Sequence, residues 1–194
     1  RDYDNVSLDG GHLLVMLPNA EWISYKQLRA SRVKNGELRA DEFPNARDRW
    51  APRETPAEFE SIILKGEPPT VGELSAAVQK QFGLVLGRVA RNDELERYIN
   101  HTLESIKAAG NTEGLRQMLV SVLLESEFLY RMEFGVGESD THGRRKLPSH
   151  AAAQTIAYAL GDRGPDLVLR KAAEEGRLSS QEDYRREVAR LLAD

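Results

Sequence analysis

Asp140, His142 and His150 are the residues whose types could build a metal site, because one carboxylate and two imidazoles suit zinc or iron. Their spacing fits no established ligand motif, and a solvated linker is the default reading. His12 follows Asp9-Gly10-Gly11, where a glycine turn could present it as a metal or haem ligand; a loop or core histidine is the commoner outcome. Glu125, Glu127 and Glu133 offer paired carboxylates, which do acid–base work when burial drives their pKa values apart. Structural pairing of Glu127 or Glu133 with Arg131 competes with that role. The run Arg144-Arg145-Lys146 precedes a helix start and could attract an anion, dock a neighbouring domain or stay solvated. No nucleophile elbow, H-E-x-x-H, P-loop or dinucleotide-binding glycine pattern is present, so no catalytic residue is assigned.

Composition narrows the classes further. The 194 residues suit one large domain or two small ones, and 40% hydrophobic with 30% charged residues is an ordinary globular balance. A net charge of −4 gives no global attraction to nucleic acid. No apolar run approaches the roughly 18 residues of a membrane span. With no cysteine, the chain cannot form disulfides, thiolate metal sites or a thioether-linked haem c of its own. It opens at Arg1 with neither a start methionine nor a signal peptide, which reads as a processed or partial chain.

The elements that would position these residues are mostly helical. Residues 1–55 read as an irregular wrapping segment, with one strand at His12–Leu17 ending before Pro18 and a short helix at Glu21–Ala30. Thr55 and Pro56 predict a helix start, with that short helix ending near Gly66. Leu74, Val78 and Phe82 mark the next helix, stopped at Gly83. Asn92 and Asp93 cap an amphipathic helix that ends at Gly110. Thr112 opens a long helix to Phe134 whose apolar residues cover most of its circumference, which predicts a buried central helix 112–134. A polar loop from Gly135 to Lys146 separates a helical domain, 56–134, from a three-helix unit, 147–194. In that unit Ser179 and Glu182 match a capping box, and Tyr184, Val188, Leu191 and Leu192 form the last stripe.

Two blocks carry a resemblance. Arg91, Asp93, Glu94 and Leu95, then Leu124, Ser126, Phe128, Leu129, Tyr130, Arg131 and Glu133, follow one pattern. Leu147, Ala153, Ile156, Tyr158, Leu160, Pro165, Asp166, Leu169, Ala173, Gly176, Leu178, Arg190, Leu192, Ala193 and Asp194 follow a second. Together they resemble consecutive domains of unknown function in large multidomain proteins of planctomycetes and related bacteria, many with a c-type cytochrome domain upstream. Gly161 stands where the family usually has an aromatic, and Glu127 where it has a proline. The family pattern runs on past Asp194, so the chain is expected to stop inside a domain. The resemblance implies an exported protein, periplasmic or extracellular, with haem c elsewhere in the parent, and supplies no catalytic set.

The expectation is a mainly α protein: a bundle of about six or seven helices after an irregular start, with at most one short strand pair. In function it is a non-catalytic interaction module of a larger exported, cytochrome-associated protein. The alternative is part of an oxidoreductase or hydrolase completed by other segments. Partners would be other domains of the parent or another chain, docked through Arg144, Arg145 and Lys146, through Tyr184, Val188, Leu191 and Leu192, and through the first 55 residues.

Overall fold

The computed structural model describes residues 10–39, 52–130, 134–161 and 164–193, with backbone alone for 10–13. Among the described residues there are eight α-helices and no strand; the one extended pairing is an isolated bridge between Val136 and Lys146. The chain divides into two compact units. One comprises Arg1–Val85 with Val89–Leu129, the other Leu86–Arg88 with Tyr130–Asp194.

The N-terminal unit opens with α1, Gly10–Lys34, so the strand at His12–Leu17 and the irregular reading of this stretch are corrected. The six-residue run lacks the period-2 alternation of a strand. Pro18 sits inside the helix, where it removes one backbone donor. Asn19 donates its side-chain amide to the Val15 carbonyl in the disturbed turn. The buried stripe of α1 is Ala20, Ser24, Leu28 and Ser31. Their helical spacing puts small residues on one face, which lets the backbone approach its neighbours closely.

Helix α2, Ala57–Ile63, buries Phe59, Ile62 and Ile63. Its N-cap position is Pro56, and the Thr55 hydroxyl instead accepts from the Ser31 N–H. Helix α3, Val71–Val85, runs through Gly83; the left-handed glycine that follows it is Gly87, at φ 68°. Thr70 and Glu73 cap its start reciprocally.

Helix α4, Asn92–Leu123, is broken at Gly110, whose φ of 82° only glycine adopts without strain. The two arms fold back on each other. Tyr98 reaches Ser121 and Glu125, His101 reaches Ser121, and Gly114 lies against Ile106. The second arm buries Leu115, Met118, Leu119, Val120, Val122 and Leu123, as its apolar circumference predicts. It ends at Leu123 rather than running to Phe134. Helix α5, Ser126–Leu129, is a single separate turn with no buried residue.

The C-terminal unit holds α6, Ser149–Gly161, α7, Leu167–Glu174, and α8, Gln181–Leu192. Its core is Ala153, Ala157, Leu169, Ala172 and Leu178, joined by half-buried Ile156, Ala173, Tyr184 and Leu191. Gly176, at φ 68°, ends α7 by donating to the Ala173 carbonyl while Arg177 donates to that of Ala172. The capping box of α8 is Ser180 with Asp183, one residue beyond the predicted Ser179 and Glu182.

Candidate functional site

Asp140 is held in a tight turn of its own. Its Oδ1 accepts from the N–H groups of His142 at 2.8 Å and Arg144 at 2.9 Å, and its Oδ2 from Arg144 Nε at 2.9 Å. Those bonds, the two backbone N–H groups first, hold its carboxyl below the usual range. His142 is exposed in the same turn, and His150 is half-buried in the first turn of α6. No three His, Asp or Glu side chains gather into a metal-binding group among the described residues. The side chain of His12 lies outside them.

The basic run closes this hairpin. Arg144 pairs with Asp140, Arg145 Nε donates to Ser139 Oγ at 3.3 Å, and the Lys146 carbonyl accepts from the Val136 N–H at 2.8 Å. All three side chains are exposed. Arg144 is thus engaged within the loop, whereas Lys146 contributes its backbone.

Of the three glutamates on the expected long helix, Glu125 joins the arms of α4. It accepts from the Tyr98 hydroxyl and from Arg97 Nη2. Burial, aided by that carboxylate, pushes the Tyr98 phenol well above its ordinary pKa. Glu127 is half-buried in α5. Glu133 and Arg131 lie outside the described residues, so the proposed bonds to Arg131 do too. Nearby, the Ser121 hydroxyl lies 3.3 Å from His101 Nε2 but donates to the Gln117 carbonyl at 2.8 Å. That back-bond is an ordinary helix contact rather than an activated nucleophile.

In the C-terminal unit, two carriers of the family resemblance meet. Arg190 grips Asp166 through two nitrogens, at 2.8 and 3.1 Å, and reaches Glu187 at 2.9 Å. Asp166 also caps α7 by accepting from the Leu169 N–H at 2.7 Å. Arg190, then burial and the cap, leave the Asp166 carboxyl below its usual range overall, because the bonds outweigh the desolvation. Sequence reading missed Glu187, which is 4% exposed in the middle of the α8 stripe. Arg190 at i+3 was the signal that such a carboxylate has a partner. Tyr184 and Leu191 pack on the core, Val188 is half-buried, and Leu192 stands 69% exposed. Leu160, Leu167 and Val168 are also exposed, Leu167 by 79%.

The N-terminal unit carries an open groove of about 850 Å3 where the end of α1, the end of α2 and the α4 elbow converge. Asn111, next to Gly110, donates to the carbonyls of Ile62, Lys65 and Glu67 and so ties the elbow to the chain after α2. Glu37 accepts from Arg32, Asn35 and Thr112. Burial raises its pKa, but those three bonds together outweigh burial and hold it lowered.

Residues 147–194 match a family model described as PSD4, protein of unknown function (DUF1592). The match covers α6, α7 and α8, the helices that hold the Asp166–Arg190–Glu187 cluster. No curated protein and no solved structure matches the chain.

Proposed function

We propose that this chain is a non-catalytic helical interaction module that docks through its C-terminal unit onto another domain of a larger protein or onto another chain. The observation that carries the reading is the contrast within that unit. Its core rests on alanines with Leu169 and Leu178, while Leu160, Leu167, Val168 and Leu192 are turned to solvent. Apolar side chains left outside so small a core favour association, at roughly 25 cal/mol per Å2 buried. The polar groups that drew attention in the sequence support the same reading, since Asp140, Glu125, Asp166 and Arg190 are engaged in turns, caps and helix ties.

The wider setting we propose is an exported, periplasmic or extracellular protein that carries a c-type cytochrome domain. Its support is the resemblance of residues 87–133 and 147–194 to domains found in that company. A haem c there would be held by the cytochrome domain, since this chain has no cysteine for thioether attachment.

Sedimentation tests the module. The chain, alone or mixed with the adjoining domains of its parent, is expected to associate with rising concentration, and a Leu167→Ser/Leu192→Ser variant to lose that association while keeping its helical content. A strict monomer at high concentration that also ignores the adjoining domains would end the proposal.

A further inference from the structure

The groove at the α4 elbow has the size of a small-molecule site, about 850 Å3 against the roughly 300–1,000 Å3 usual for such sites. Ile63, Leu103 and Ile106 give it an apolar lining. Its carboxylates are already used. Glu37 takes three donors, and Glu113 takes two from Arg116 and one from Gln117. Its donors are in surplus. Arg32 gives Nε to Glu37, and its two terminal nitrogens have no hydrogen-bond acceptor among the described residues. The Arg32 side chain is 23% exposed, and its guanidinium lies 5.9 Å from the Tyr25 ring centroid, so packing restrains it. Lys107 gives one hydrogen bond to Glu104 at the rim and keeps two donors.

We propose that this groove binds a small organic anion: a carboxylate on an aryl or branched aliphatic body. Arg32 would take the carboxylate through its free fork, Lys107 would flank it, and the apolar lining would hold the body. A cationic ligand would meet the Arg32 and Lys107 charges and two carboxylates that each already accept three hydrogen bonds. The site uses none of the residues on which the docking proposal rests, so either can fail alone.

Amide NMR of the whole chain, titrated with 2-naphthoate and separately with 2-naphthylmethylammonium, tests the site. Saturable shifts are expected at Gly66, Gly110 and Thr112 with naphthoate, and at least tenfold weaker binding of the ammonium probe. Arg32→Gln should weaken naphthoate about tenfold, the scale of one charge-assisted hydrogen bond. Lys107→Gln, at a position 70% exposed, should weaken it about two- to fivefold and leave the fold alone. Equal binding of the two probes, shifts centred on Leu167 and Leu192 instead, or unchanged affinity in Lys107→Gln would overturn the proposal. The Lys107 variant and the probe pair decide the matter even if Arg32→Gln loosens the Glu37 clasp.

Discussion

Gly114 sits so close to Ile106 across the α4 elbow that a β-carbon at residue 114 would stand 2.5 Å from the Ile106 backbone nitrogen. Backbone cannot move aside as a side-chain tip can, so this contact sets how tightly the two arms close.

Gly114→Ala is therefore expected to destabilise the chain by about 1–3 kcal/mol through overpacking, despite alanine's better helix propensity. Gly83→Ala should do the opposite. Residue 83 lies within α3 and its added β-carbon would meet nothing within 4 Å, so a gain of about 0.5–1 kcal/mol is expected. Urea unfolding of the two variants, side by side, checks the opposite signs.

Gln81 is fully buried, donates to the Leu119 carbonyl at 3.3 Å and exchanges hydrogen bonds with Gln27. It links α1, α3 and α4 at one point. Gln81→Ala should cost about 2–3 kcal/mol, because it opens a cavity and strands the Gln27 amide. A double-mutant cycle with Gln27→Ala should show coupling of about 1 kcal/mol; additive losses would mean the amide pair contributes nothing of its own.

Glu73 illustrates the acid limb of stability. The Lys65 ammonium first, then the N–H and hydroxyl of Thr70, bring its carboxyl down to about 2 from an ordinary 4.5. A carboxylate depressed on folding contributes stability above its unfolded pKa and loses it as pH falls through the folded value. Glu73's contribution should fade between about pH 4.5 and pH 2. Melting temperatures across that range should fall, and Glu73→Gln should flatten the fall; an unchanged slope in the variant would refute the assignment.

Arg190 ties Asp166 to α8 and lies 2.9 Å from buried Glu187. Arg190→Met should leave Glu187 with the longer Arg186 contact of 3.6 Å and destabilise the C-terminal unit by about 2 kcal/mol. Hydrogen exchange should show α6–α8 opening more often while α1–α4 keep their protection.

Much of the helical plan is legible without coordinates. The left-handed glycines at 110 and 176 end or bend helices where the apolar stripes stop, and the three-helix unit expected over 147–194 holds α6, α7 and α8. Errors of one residue at the caps of α4 and α8 have a simple origin. At α8 Ser179 is chemically as good a cap as Ser180, whereas the N-cap position of α4 lies one residue before Asn92, at Arg91, which donates its backbone N–H to Glu94, so no capping side chain marked that start. Only the middle of α1 was legible, as the short helix expected at Glu21–Ala30; its first half, from Gly10, and its length were not. Its buried stripe is Ala20, Ser24, Leu28 and Ser31, with a single large apolar residue, and Pro18 argues against a helix locally. The end of the central helix was likewise hidden, because Leu124 to Phe134 continues its apolar run.

By itself, the sequence determined that this is a helical protein without cysteine chemistry, with Asp166 and Arg190 on either side of the Gly176 turn. Those properties follow from local propensity, spacing and composition, which act within a few residues. Only the tertiary structure decided that Arg190 grips Asp166, that Asp140 spends its oxygens closing its own loop, and that Arg32 keeps both terminal nitrogens for a groove with an apolar lining of Ile63, Leu103 and Ile106. Whether a charged group is spent or available depends on which partners the chain brings within hydrogen-bond reach. Arg190 finds its partner 24 residues away, and Thr112 meets Glu37 across 75, so no local pattern could have disclosed either.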